Sequence, residues 1–120
     1  MIQVTPQMRV LVAVAPVDFR RGIDGLAKLA REELKSDPFS GSVFVFRNRR
    51  ATSVKVLIYD GQGFWLCQKR LSAHKFRFWP ARGQSAITRI EAHELGVLLN
   101  AGDFEAAKGA PHWRRVSAEA

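Results

Sequence analysis

The sequence predicts an α+β fold in a single domain, with a mainly antiparallel sheet of about five strands and two main helices. Three observations carry this reading. Short apolar runs rich in branched and aromatic residues recur between residues 9 and 79, each closed by turn residues. Two other stretches space their apolar residues by three and four, the period of a helix. No repeat, linker or low-complexity tract divides the 120 residues, a length suited to one hydrophobic core.

Arg9–Ala15 (RVLVAVA) is a short apolar run closed by Pro16 and reads as a buried strand. Phe19, Ile23, Leu26, Ala27, Ala30 and Leu34 then fall on one helical face. Asp18 is placed to cap that helix and Pro38 to end it, with Asp37 held out of the α region. Gly22 and Gly25 are odd inside it, because a helical glycine costs about 1 kcal/mol against alanine. Either the helix starts later than Asp18, or another backbone packs against the side the two glycines share. Val43–Phe46 is apolar on both alternating faces, as a central strand would be. Ser53–Asp60, Phe64–Leu71 and Lys75–Trp79 continue the pattern through short turns, including Asp60-Gly61-Gln62-Gly63, into an antiparallel meander that Pro80 stops. Thr88-Arg89-Ile90-Glu91 has capping-box form and opens a second helix through Leu95, Leu98 and Leu99, with Gly102 at the C′ position. The ordered core is expected over about 9–104, followed by a loosely held polar tail, 105–120, whose one large apolar residue is Trp113.

Composition narrows the function classes. Hydrophobic residues make up 47% and charged residues 25%, as in ordinary globular domains. The single cysteine, Cys67, forms no internal disulfide and suits a reducing compartment. Val10–Val14 is too short for a membrane span or a signal peptide. The expected location is therefore the cytoplasm, in association with the nucleoid if DNA is bound.

The net charge is +8, and its placement is more informative than its size. Residues 44–82 hold nine basic residues against Asp60 alone, while the remainder of the chain balances ten basic residues with ten acidic. A segregated excess of this kind is the footprint of a polyanion partner. It is densest in FVFRNRR, residues 44–50, where Arg47, Asn48, Arg49 and Arg50 fall at the tip of a hairpin. Arginine carries a planar fork of donors matched to phosphate oxygens or to a guanine edge. Lys55, Lys69, Arg70, Lys75 and Arg77 extend the basic set, interleaved with Trp65, Phe76, Phe78 and Trp79. Aromatic rings among cations suit base stacking. A core role is nevertheless expected for Phe44, Phe46, Phe64, Phe76 and Phe78; for Trp79, beside Pro80, the residues leave the choice open.

Catalysis finds little support. Cys67, His74, His93 and His112 show no metal-ligand spacing, so no metal or other cofactor is expected. A nuclease would need two or three carboxylates around magnesium. The available ones have simpler roles: Asp18 as a cap, Asp24 as a surface partner for Lys28, and Asp60 as a turn opener. No nucleophile signature surrounds any serine or Cys67.

Several ordered segments resemble a known family. Asp18-Phe19-Arg20-Arg21-Gly22-Ile23-Asp24-Gly25-Leu26 is similar to its D-x-R-[KR]-G-x-D-G-L segment, and Ser40-Gly41 with Phe44–Arg50 to its S-G-x-x-F-V-F-R-[NG]-[RK]-R segment. Lys55-Val56-Leu57, Asp60–Gly63 and Lys69-Arg70-Leu71 resemble its next stretch. Phe78-Trp79-Pro80 looks like its F-x-W-P, and Leu95 through Leu99 like its last helix. The family is the small accessory protein TnpB, the second open reading frame of insertion-sequence-66 transposons. It is distinct from the much longer RNA-guided nuclease that shares the name. The resemblance spans roughly residues 9–104 and implies a non-enzymatic role assisting a separate transposase in DNA transposition. The expected partners are DNA at the transposon ends, the transposase and the element's other accessory protein, with no membrane partner. Arg47, Asn48, Arg49, Arg50, Lys55, Lys69, Arg70, Lys75 and Arg77 are the candidate DNA contacts. Arg20, Arg21 and Trp79 are the candidate protein contacts. The alternative is a module that docks on the transposase without touching DNA.

Overall fold

Val10–Ala13, the first strand β1, is buried at every position. A strand needs apolar side chains on both alternating faces only when both faces of its sheet are covered. The computed structural model describes residues 4–80 and 85–103 and shows that cover. After β1 come helix α1 (Ile23–Glu32), strands β2 (Val43–Arg47), β3 (Ser53–Tyr59), β4 (Phe64–Arg70) and β5 (Ile87–Ile90), and helix α2 (Ala92–Leu99). They build one five-stranded sheet in the order β4-β3-β2-β1-β5. One face carries Leu11, Ala13, Phe44, Phe46 and Leu57 against Leu26, Leu29 and Ala30 of α1. The other carries Val10, Val12, Val43, Val45, Val54 and Ile58 against Leu95 and Leu98 of α2, with Phe76.

The sheet is mixed, as α1 requires. That helix lies between β1 and β2 and returns the chain in the same direction, so Val10, Leu11 and Val12 pair in parallel with Val43, Phe44 and Val45. The other three pairings, β2–β3, β3–β4 and β1–β5, are antiparallel.

Four local expectations are corrected. Lys75–Trp79 forms no strand. Its ties run elsewhere: the Phe76 N–H donates to the Ala51 carbonyl (2.7 Å) and the Trp79 indole to the Ala13 carbonyl (2.8 Å). Buried Phe76 meets Trp79 edge-to-face, so the segment folds across one end of the sheet. The fifth strand is β5, which contains the Thr88 read as a helix cap. The capping box exists three residues later, with Glu91 as N-cap and Glu94 at N3. The Glu91 N–H donates to Glu94 Oε1 at 2.6 Å. Asp18 does not cap α1 either; Gly22 holds the N-cap position, so the helix starts later than Asp18. Its end precedes Pro38 as well, since Lys35 already has a φ of 54°. Phe104, Lys108–Ala120, Arg82 and His112 lie outside the described residues.

The end of α2 shows a division of labour between neighbours. The Ala101 N–H donates to Leu98 and the Gly102 N–H to Val97, the paired bonds of a Schellman motif. The left-handed residue is Ala101 (φ 61°), and Gly102 sits one place beyond the C′ position expected for it. Gly102 is constrained by space: a Cβ there would lie 2.9 Å from Val97 Cγ1 and 3.2 Å from the Val97 carbonyl oxygen. Two neighbouring substitutions should therefore have opposite signs in urea denaturation. Gly102→Ala should destabilise by about 1–3 kcal/mol through overpacking against a stiff branched side chain. Ala101→Gly should stabilise by about 0.5 kcal/mol, the relief of left-handed strain less the entropy of glycine.

Candidate nucleic-acid interface

The β2–β3 connection is built by Asn48. Its Oδ1 accepts from the N–H groups of Thr52 (2.9 Å) and Ser53 (3.1 Å), and its Nδ2 donates to Thr52 Oγ1. Its carbonyl accepts from the Ala51 N–H, closing a four-residue turn. Arg49 and Arg50 occupy the two central positions of that turn, and both are exposed. Half-buried Arg47 is held inside the connection. Its Nη1 donates to the carbonyls of Asn48 and Arg49, and its guanidinium lies 6.0 Å from the Trp79 ring centroid. Thus Arg47 and Asn48 shape the turn, and Arg49 and Arg50 are presented by it.

A second segment comes to the same place. The connection from β1 to α1 is fastened to the sheet at three points. The Val17 N–H donates to the Arg47 carbonyl at 2.9 Å. The Lys55 ammonium, on the neighbouring strand β3, donates to the carbonyls of Phe19 and Arg21, both at 2.9 Å, and stands 4.9 Å from the Phe19 ring centroid. Lys55, one of the candidate DNA contacts, is only 7% exposed, and its charge is spent on the loop. The fastening leaves a cleft of about 440 Å³ lined by Pro16, Val17, Asp18, Phe19, Arg20, Asn48, Arg49 and Arg50.

Asp18 orders Arg20 at this cleft. The carboxylate accepts from the Arg20 backbone N–H at 2.9 Å and from Nε and Nη2 at 2.8–3.2 Å. These bonds, the side-chain ones foremost, lower the Asp18 pKa to about 2. Arg20 keeps 91% of its side chain exposed, so it is oriented yet open to a ligand. Sequence reading put Arg20 with the protein contacts and Arg49 and Arg50 with the DNA contacts; the fold sets all three around one depression.

The remaining candidates divide. Lys69 donates to the Leu99 carbonyl at 2.7 Å, stabilising the negative end of α2. Arg70 is exposed and lies opposite Ser53, close to the hairpin. Bonds from the Leu71 N–H to Thr52 and from the Phe76 N–H to Ala51 carry exposed Lys75 and Arg77 past the same end of the sheet. Arg21 is half-buried and reaches toward the Gly25 carbonyl. Half-buried Trp79 is tied to Ala13. Phe44, Phe46 and Phe76 are core, but Phe78 is 38% exposed, contrary to the sequence expectation, with the Arg77 guanidinium 5.8 Å from its ring centroid. At the opposite end of the sheet, Asp60 accepts from the N–H groups of Gln62 and Gly63 and from the Trp65 indole, and these donors lower its pKa. Asp18 and Asp60 are thereby committed to separate local networks. Among the described residues, no three His, Cys, Asp or Glu side chains are grouped to hold a metal ion, and no helix is long and apolar enough to cross a membrane.

The model of the family described as IS66 Orf2 like protein matches residues 8–109. Two proteins of Sinorhizobium fredii (strain NBRC 101917 / NGR234) are similar to the chain. The uncharacterized protein y4jC is 36% identical over 104 residues, covering 87% of each chain. The uncharacterized protein y4hO is 39% identical over 97 residues, covering 81% of this chain and 83% of the relative. No solved structure matches significantly.

Two outcomes follow from the way the cleft is assembled. Lys55→Met preserves length and apolar bulk but deprives two carbonyls of a charged donor. It should cost about 1–3 kcal/mol in urea denaturation and speed amide exchange over residues 17–22. Unchanged stability and unchanged exchange would mean that Lys55 does not hold the loop. Arg20→Ala should return the Asp18 carboxyl toward its ordinary value of 3.8, read by carbon-detected NMR titration. In the wild type the folded pKa is depressed, so the stability gained from this pair is present above the unfolded value and lost as pH falls through about 2.

Proposed function

The chain belongs to the IS66 Orf2-like family, and from that premise we propose that it assists transposition without catalysing it, by gripping DNA phosphates in the arginine-lined cleft. Membership of the family supports the accessory role in transposition. The observation that carries the DNA reading is the convergence of Arg20, Arg49 and Arg50, from two distant segments, on one depression. Asp18, the acidic residue in its lining, is paired with Arg20, so three guanidinium groups face one carboxylate and the cleft keeps a net positive charge, carried by Arg49 and Arg50.

The chemistry follows from the guanidinium group. Its planar donors meet two phosphate oxygens at once, and each phosphate neutralised releases a counterion. Arg20 stands on one wall and Arg49 and Arg50 on the other, so a backbone lying in the cleft is held from both sides. Arg70, Lys75 and Arg77 would continue the grip beyond it. Contacts of this kind fix position and favour a bend; they carry little sequence information unless an arginine also reaches a guanine edge. The DNA so held would be a transposon end, presented to the transposase and the element's other accessory protein as partners in the assembly. The second reading, docking on the transposase without DNA, uses the same basic face against an acidic protein surface.

Fluorescence anisotropy with labelled duplexes over a salt series decides between them. Binding should weaken steeply with salt, and Arg49→Ala with Arg50→Ala should reduce the log–log salt slope by about 0.9 per lost contact, roughly two in all. A slope that the double variant leaves unaltered would remove the cleft from the interface. Absence of binding at low salt, with a stable transposase complex in DNA-free buffer, would favour the second reading. Preference for the terminal repeat over a scrambled duplex would make the protein an end-recognition factor.

A further inference from the structure

Strand β4 forms one margin of the sheet, and among the described residues nothing pairs with its outer side. Its backbone direction can be read from two bonds. The Asp60 N–H donates to the Gly63 carbonyl, and the Leu71 N–H donates to the Thr52 carbonyl. In an antiparallel ladder, backbone groups alternate in direction with period two. Trp65, Cys67 and Lys69 therefore turn their N–H and C=O groups inward to β3, and Phe64, Leu66, Gln68 and Arg70 turn theirs to the open margin. The strand is seven residues long, has no proline, and is largely exposed. Proteins usually blunt such a margin with proline, a bulge or scattered charge. Here both charges, Lys69 and Arg70, sit at one end and two aromatic residues at the other.

We propose that β4 pairs antiparallel with β4 of a second copy of this chain, about a two-fold axis through Cys67. The argument is one of complementarity. Only the register centred on Cys67 pairs all seven residues, and in it Phe64 faces Arg70 of the second copy, Trp65 faces its Lys69, and Leu66 faces its Gln68. Arg70 of each copy thus meets the Phe64 ring of the other, once at each end of the interface. A register centred on Lys69 would instead set lysine against lysine. The backbone directions agree with the Cys67 register. Leu66 and Gln68 would exchange outward-facing hydrogen bonds, and so would Phe64 and Arg70, while Cys67 would face Cys67 as a non-hydrogen-bonded pair. The product is one continuous ten-stranded sheet. Both copies present α1 on the same side of it, and the two arginine clefts lie at opposite ends.

The test uses the full chain. Sedimentation equilibrium at high micromolar concentration should give twice the monomer mass. Cys67–Cys67 cross-linking by copper–phenanthroline, which accepts the two thiol electrons, should be fast and complete, because facing Cα atoms about 4.5 Å apart lie within disulfide range. Gln68→Pro removes an N–H that points only to the open margin, so the fold should survive, as judged by circular dichroism. It deletes two symmetric inter-copy bonds and should weaken the dimer roughly 30-fold. A wild type that stays monomeric, or a dimer unaffected in a folded Gln68→Pro variant, overturns the proposal. Should that variant fail to fold, cross-linking decides: disulfide formation at the rate of random collision overturns it as well.

Discussion

The Lys55 ammonium lies beneath the β1–α1 connection, with two carbonyls and the face of Phe19 around it. Burying a charged amine is costly unless strong acceptors replace its water. Phe19 and Arg21 supply those acceptors only if the connection lies flat across the sheet beside β3. The charge therefore dictates the path of the backbone, and the path dictates where Asp18 and Arg20 emerge. The bond from Val17 to Arg47 fixes the same connection to β2. Together they hold two segments some thirty residues apart in sequence side by side as one lip. Without that fastening, Arg20 would be a solvated side chain on a loop, with nothing to relate it to the hairpin.

The basic third of the sequence thus divides into two groups that composition cannot separate. Lys55, Arg47 and Lys69 give their donors to backbone carbonyls and build structure. Arg49, Arg50, Arg70, Lys75 and Arg77 are exposed at one end of the sheet. A lysine on a strand reads the same in either role. What distinguishes Lys55 and Lys69 is a backbone carbonyl within reach, supplied by chain segments thirty or more residues away in sequence.

The strands of the hairpin region were legible because period-two alternation and turn residues are local signals. Val43–Phe46 was legible as a central strand because its apolar residues face both ways. The fifth strand was not: Ile87–Ile90 is four residues long, and its neighbour is β1, nearly eighty residues earlier. Lys75–Trp79 alternates like a strand, yet its two aromatic anchors, Phe76 and Trp79, are three apart and reach the core by crossing the sheet end. The capping box of α2 lies three residues beyond the one the sequence predicts, because glutamate is an uncommon cap, whereas Thr88 with Glu91 has the familiar form. Of the candidate interface, the hairpin arginines could be read directly. The cleft could not, since it exists only once Lys55 has drawn the β1–α1 connection against the hairpin.

Strand order also has a consequence for how the chain comes to be folded. β1 precedes the other strands; β2 covers one of its edges, but on the other edge Val10 pairs with Ile90 of β5. The segment from β2 to β4 closes through short turns and can assemble as soon as it leaves the ribosome. The β1–β5 pairing has to wait for nearly the whole described chain, and contacts so distant in sequence form slowly. Throughout that interval Val10–Ala13 (VLVA), the most apolar strand of the sheet, offers a bare hydrogen-bonding edge. Nascent molecules are therefore at their most adhesive until β5 has emerged, and crowding of ribosomes on one message is the condition most hazardous to this fold.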